Sequence, residues 1–261
     1  MRKIKTLNDR ILGLRIKKDC MKDKIISFCW QHLLLLVSLF IMTVGVAVCV
    51  RSMLGSSVIS VLPYVFESAG KQGDVPALSI GQYTCIMNFV LVGGQIAVLR
   101  RRFEPIQLLQ LVIGFLFGIL IDLNMQLTSW LVPDTLWQKT AAQAAGCVIL
   151  GIGIALEVCC GSVTMPGEGF PVAVSRVTGI EFAKVKIVTD ISLVVLGVTA
   201  CYAFFGSWQW HIIGPGTLFA MFFVSAVVRL ASKRLGWFRR LLAYRPGLRR
   251  YIYGLAHHIY K

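Results

Sequence analysis

The stretch WQHLLLLVSLFIMTVGVAVCV, residues 30–50, decides the fold: 21 residues without one Asp, Glu, Lys or Arg. A helix rises 1.5 Å per residue, so a hydrocarbon core about 30 Å thick is crossed by roughly 20 apolar residues. Residues 80–99, 106–127, 136–156, 185–205 and 210–231 meet the same requirement. Six membrane-spanning helices are expected. With the N-terminus in the cytoplasm, all of the 27 Lys and Arg except Arg51, Lys71 and Lys139 fall on the cytoplasmic side. They sit in residues 2–24, at Arg100–Arg102, at Arg176, Lys184 and Lys186, and in residues 229–261. Cationic loops resist translocation, so this bias predicts a multi-pass protein of the bacterial cytoplasmic (inner) membrane with both termini cytoplasmic.

Composition agrees. A chain with 56% hydrophobic and 15% charged residues has too little polar material to cover a soluble surface. The net charge of +15 would suit nucleic acid, but it is concentrated in loops flanking the spans, so no nucleic-acid partner is expected. The basic tails instead suit the anionic inner leaflet of the bilayer. The first apolar run ends in Val48-Cys49-Val50-Arg51 without a small-residue cleavage site, so it is expected to stay as a helix. The eight cysteines include the adjacent Cys159 and Cys160 but no Cys-x-x-Cys, and His32, His211, His257 and His258 are scattered. No metal and no cofactor are expected.

The chain divides into a basic segment (1–29), a transmembrane domain (30–232) and a basic C-terminal segment (233–261). In the last, Leu248, Tyr251, Ile252, Leu255 and Ile259 mark one face of an amphipathic helix, with Trp237 and Phe238 before it at headgroup level. Within the domain, repeat 1 (30–127) and repeat 2 (136–231) each open with a span, pass through a long connection, and close with two spans. The connections are 51–79, holding Leu54-Gly55-Ser56-Ser57 and Pro63, and 157–184, holding Met165-Pro166-Gly167-Glu168-Gly169 and Pro171. Three crossings per half force the second half to insert upside down relative to the first. That is the inverted-repeat plan of many secondary transporters, in which broken segments converge near the midplane. The apolar stretches 58–66 and 170–177 are too short to span and are expected as re-entrant half-helices. Irregular backbone at that depth must be buried in protein or face a water-filled cavity.

Leu54-Gly55-Ser56-Ser57 with Pro63, Gly118-Ile119-Leu120-Ile121-Asp122, Pro166-Gly167-Glu168-Gly169 and Gly214-Pro215-Gly216-Thr217 together resemble the YczE/YyaS/YitT-type bacterial integral membrane proteins. The resemblance covers residues 30–232. Two features depart from that pattern: no proline directly follows Leu54-Gly55, and Glu168 stands where an aspartate or another polar residue is common. The resemblance implies a six-helix integral membrane protein, and some relatives are grouped with exporters.

Ionisable and amide groups inside spans are costly and therefore candidates for function. Asp190 and Lys186, four residues apart on one helical face, form a pair suited to holding a proton or an anionic substrate group; the alternative is a surface ion pair. Asn88 holds in the first half the place that Asp190 holds in the second, and is expected either to contact solute or to bond across the bundle. Glu168, between two glycines, is read as a gate-like acid on a mobile backbone or as a solvated loop acid. Ser56 and Ser57, in the first connection, complete the candidate set. Asp122, closing the third span, is expected to serve as an N-cap or loop anchor for the element that follows it. Gly114 and Gly118, Ala141 and Ala145, and Gly146 with Gly151 and Gly153 are expected to bring helices close, and a homo-oligomer is left open.

No Ser-His-Asp set, His-Glu-x-x-His or phosphate-binding Gly-x-x-x-x-Gly-Lys is present, so an enzyme is not expected. The leading expectation is a secondary transporter or exporter of a small solute. The alternatives are a non-transporting scaffold or accessory protein, and the substrate-binding subunit of a multi-component importer.

Overall fold

A computed structural model describes residues 30–160 and 165–243. The basic segment 1–29 and the amphipathic stretch from Leu248 to Ile259 lie outside the described residues. Among the described residues the protein is all-helical, and six helices are long and apolar enough to cross a membrane. They are α1 (Trp30–Arg51), α3 (Ile80–Leu99), α4 (Leu109–Leu127), α5 (Leu136–Cys160), α7 (Phe182–Phe205) and α8 (Pro215–Arg234). Two short helices, α2 (Val61–Gln72) and α6 (Pro166–Thr178), occupy the two long connections, and α9 (Gly236–Ala243) follows α8.

Two spans begin later than the sequence reading places them. The third span begins at Leu109 and not at residue 106, because Pro105–Leu108 forms a 3-10 turn. The last begins at Pro215 and not at residue 210. Proline has no N–H to donate and its φ already suits a first turn, so it starts the helix. The residues before it fold into a turn in which Ile212 and Ile213 both donate to the Gln209 carbonyl.

The short helices are stopped by glycines in the left-handed region, Gly73 at φ 92° and Gly179 at φ 71°. At 1.5 Å per residue neither reaches more than about 20 Å, which is less than a bilayer core. Neither lies on the surface. Val61, Val65 and Ala69 of α2 and Val172 and Ala173 of α6 are buried. Each short helix packs against both α3 and α7. Ile59, in the 3-10 turn that leads into α2, lies against Gly167 in the first turn of α6, so the approach to one short helix meets the start of the other.

The irregular backbone before α2 is satisfied from within the protein, as a non-aqueous surrounding requires. Ser56 N donates to the Ile212 carbonyl (2.9 Å) and its hydroxyl to the same oxygen (3.1 Å), so Ser56 ties the first connection to the turn before α8. Gly216 N donates to Leu54 O, the Gln143 amide to Gly216 O, and the Ser52 hydroxyl to Gln143 Oε1, linking this stretch to α5 as well.

α1 runs through the centre: 61% of its apolar window is buried, against 22% for α7 and 17% for α8. It crosses α5 at backbone distance, with Gly45 against Gly146 and Met42 against Gly153, and it bonds to α4 through Asn124 Nδ2 to Thr43 Oγ1 (2.7 Å). Gly151 lets α5 approach Val227 of α8. Ala141 and Ala145 do not take part. Both are exposed, because α5 turns Gln143, Gly146, Cys147 and Leu150 inward on its other face.

Candidate functional site

A cavity of about 210 Å³ lies where both connections converge on α7 and α8. At roughly 30 Å³ per water it holds the volume of about seven waters. Ser57, Val58 and Ile59 contribute from the first connection, Met165 and Glu168 from the second, and Lys186 and Asp190 from α7. Met42 of α1, Leu150 and Ile154 of α5, and Ala220, Met221 and Val224 of α8 form apolar wall.

Local sequence places the charged groups. Phe182 opens α7, so Lys186 and Asp190 stack one turn apart, and Lys186 Nζ bonds Asp190 Oδ1 at 2.8 Å. Pro166 is the first residue of α6, which puts Glu168 in the first turn, where the N–H groups of the helix end favour a carboxylate. Glu168 therefore stands in a helix and not in a loop. Its Oε1 lies 3.3 Å from Lys186 Nζ, so one ammonium serves two carboxylates from different helices. All three side chains are largely enclosed: Lys186 is 28% exposed, Glu168 18% and Asp190 12%. The Lys186–Asp190 pair is thus partly enclosed by protein and shared with a second helix.

The start of α6 is held by a residue near the C-terminal end of α5. Glu157 of α5 is buried, and its Oε1 accepts from Met165 N (2.9 Å). Its Oε2 has no hydrogen-bond partner among the described residues. Glu157 thereby positions Met165 and, one turn on, Glu168. The apolar wall residues carry no sequence signal that separates them from ordinary core.

Ser57 lines the cavity with its hydroxyl paired to Ser60 at 2.6 Å, whereas Ser56 faces the Ile212 carbonyl. Asn88 does not line the cavity. It sits in the α3–α4 seam, packed on Gly114, with its Nδ2 3.4 Å from the Gly114 carbonyl and its Oδ1 without a hydrogen-bond partner among the described residues. The same seam closes further along. Gly81 and Gly118 meet backbone to backbone, and Asp122 accepts from Gly81 N (2.9 Å) and Ser79 Oγ (2.5 Å). Asp122 thus anchors the start of α3, which precedes it in the chain, and not the element that follows it; a Ser79–Gln82 capping box already satisfies that first turn. At the other end Gln95 bonds Gln110, and the Phe170 ring of α6 covers Gly94.

The architecture is that of a polytopic helical membrane protein whose buried charged cluster opens onto a cavity among its spans. The chain belongs to a family of unknown function, DUF6198, whose profile matches residues 29–233, all six spans included. No curated protein and no solved structure matches the chain.

Proposed function

We propose that the protein is a secondary transporter or exporter of a small solute, working by alternating access between inverted repeats 30–127 and 136–231. The observation that carries this reading is the cavity's position, at the point where the approach to one half-helix meets the start of the other. Exchange of partners between the halves supports it: α2 packs on α3 of its own half and α7 of the other, and α6 does the reverse. Buried ionisable groups inside spans are costly and are used where a solute or ion must be held. The resemblance to YczE/YyaS/YitT-type proteins, some of them grouped with exporters, points the same way. In this reading the chain ends are cytoplasmic, the basic tails lie on the anionic leaflet, and the cavity faces the half of the membrane nearer the cytoplasm.

Reconstitution tests it. Purified protein in liposomes is expected to move a solute down or against a gradient, and Asp190→Asn to abolish that movement while membrane insertion and monodispersity persist. Copurification of a stoichiometric ATPase, with no flux by the protein alone, would replace it with the importer-subunit reading. Orientation is checked by thiol labelling: cysteines at Gly73 and Ser129 are expected to react from outside intact cells, and those at Arg101 and Lys233 only after permeabilisation.

A further inference from the structure

We infer that the cavity's solute is a small organic cation, one positive charge on an apolar body. This deepens the transport reading and rests on it for the movement of the solute, not for its binding. Among the residues lining the cavity the ionisable ones are Glu168, Lys186 and Asp190, two acids and one base. With all three ionised, the side chains of the enclosure carry one net negative charge, which the N-terminal end of α6 beside Glu168 offsets only in part. Lys186 is nearer to Asp190, at 2.8 Å, than to Glu168, at 3.3 Å, so Glu168 is the less firmly held carboxylate.

An uncompensated charge among apolar walls is costly, and a ligand that brings the opposite charge relieves that cost. An anion would have to take Lys186 from two carboxylates and leave both without a counter-charge. A zwitterion would leave the net charge as it was. The N-terminal end of α6, which otherwise favours anions, is already matched by Glu168 in its first turn. The remainder of the wall selects an apolar body. Met42, Met165 and Met221 all line the cavity, and unbranched thioether side chains repack around bodies of differing shape. The volume of 210 Å³ restricts that body to a small amine or quaternary ammonium. Sequence spacing alone presented only the Lys186–Asp190 pair, which suggested a proton or an anionic group; the third member, Glu168, comes from a different helix and reverses the sign.

Three probes sharing one ring separate the classes: phenethylamine (cation), phenylacetate (anion) and phenylalanine (zwitterion). Titrated at pH 7 into the full chain in lipid nanodiscs, with calorimetry and thermal unfolding as readouts, phenethylamine is expected to bind and to raise the melting temperature. Phenylacetate and phenylalanine are expected to bind at least tenfold more weakly. Glu168→Gln should weaken phenethylamine at least tenfold, Glu168→Asp should restore most of the loss, and Asp74→Asn, an exposed acid elsewhere, should bind as the wild type does. Preference for phenylacetate or phenylalanine, or no binding of phenethylamine, overturns the cation assignment. Flux of the same probes in liposomes keeps the two readings apart. Phenethylamine bound but not moved overturns transport and upholds the site, whereas movement of the anion alone upholds transport and overturns the cation class.

Discussion

The α3–α4 seam and the α7–α8 side of the molecule begin from matching positions and end differently. Asn88 is the ninth residue of α3 and Asp190 the ninth of α7; Gly114 and Ala220 are each sixth, and Gly118 and Val224 each tenth, in α4 and α8. In the first half, Gly114 and Gly118 let α3 and α4 close on each other until Gly81 and Gly118 touch backbone to backbone. In the second half, alanine and valine stand at those positions, α7 has no comparable seam with α8, and both Ala220 and Val224 face the cavity. The polar residue at the ninth position follows suit: an amide packed into a closed seam on one side, a carboxylate in an open cavity on the other. Two helices with only glycine between them pack by van der Waals contact of their backbones, a closeness that side chains at both positions do not permit.

Exchanging residues across this comparison gives its strongest test. Gly118→Val puts a branched side chain where even a Cβ meets the Cys85 sulfur and lies 2.6 Å from the Gly81 carbonyl oxygen. Overpacking of that kind costs about 1–3 kcal/mol, and more against backbone, so a large fall in melting temperature in detergent is expected. Val224→Ala, at the matched position, trims a side chain that partly faces a cavity without putting glycine in a helix, and is expected to lower the melting temperature less. Equal effects would mean that the two sides are packed alike.

Next in size is the charged cluster. Asp190→Asn leaves Lys186 with Glu168 alone, 3.3 Å away, and is expected to reduce solute-dependent stabilisation and flux at least tenfold. Full activity for an identified solute would return Asp190 to a structural ion pair. Asn88→Ala, at the matched position, removes one long hydrogen bond in the closed seam. A loss of about 1 kcal/mol in stability with solute affinity unchanged is expected. Weakened solute binding in that variant would join the two halves into one site. Smallest of all, Ser57→Ala removes a hydroxyl already paired to Ser60 and is expected to change solute affinity by less than threefold.

The six spans were legible because each is a run of apolar residues whose length the bilayer dictates. The short helices were legible only in part: the apolar stretches 58–66 and 170–177 overlap α2 (Val61–Gln72) and α6 (Pro166–Thr178), but the start at Pro166 and the stops at Gly73 and Gly179 were not read from the sequence. What brought Glu168 to Lys186 was not legible, because that contact depends on how α6 tilts against α7, and no local pattern encodes the tilt. Asn88 and Asp190 looked alike for the opposite reason. Matched positions hide the seam residues one helix away, Gly114 and Ala220, which decide whether a polar group ends in contact or in a cavity. The exposure of Ala141 and Ala145 makes the same point: small residues permit a close crossing, and the inward face of α5 is chosen by Gln143, Gly146 and Leu150.

Alternating access requires the closed seam and the open side to exchange states, and paired spin-label distances in lipid nanodiscs read this directly. One pair at Lys184 and Lys233 reports the ends of α7 and α8 nearest the cavity; a second at Ile86 and Leu123 reports the Asp122-anchored end of the α3–α4 seam. Two populations are predicted for each pair, with phenethylamine shifting them oppositely, so that the first distance shortens as the second lengthens. A single population for each pair, unchanged by ligand, or two distances that move together, would contradict alternating access between the halves.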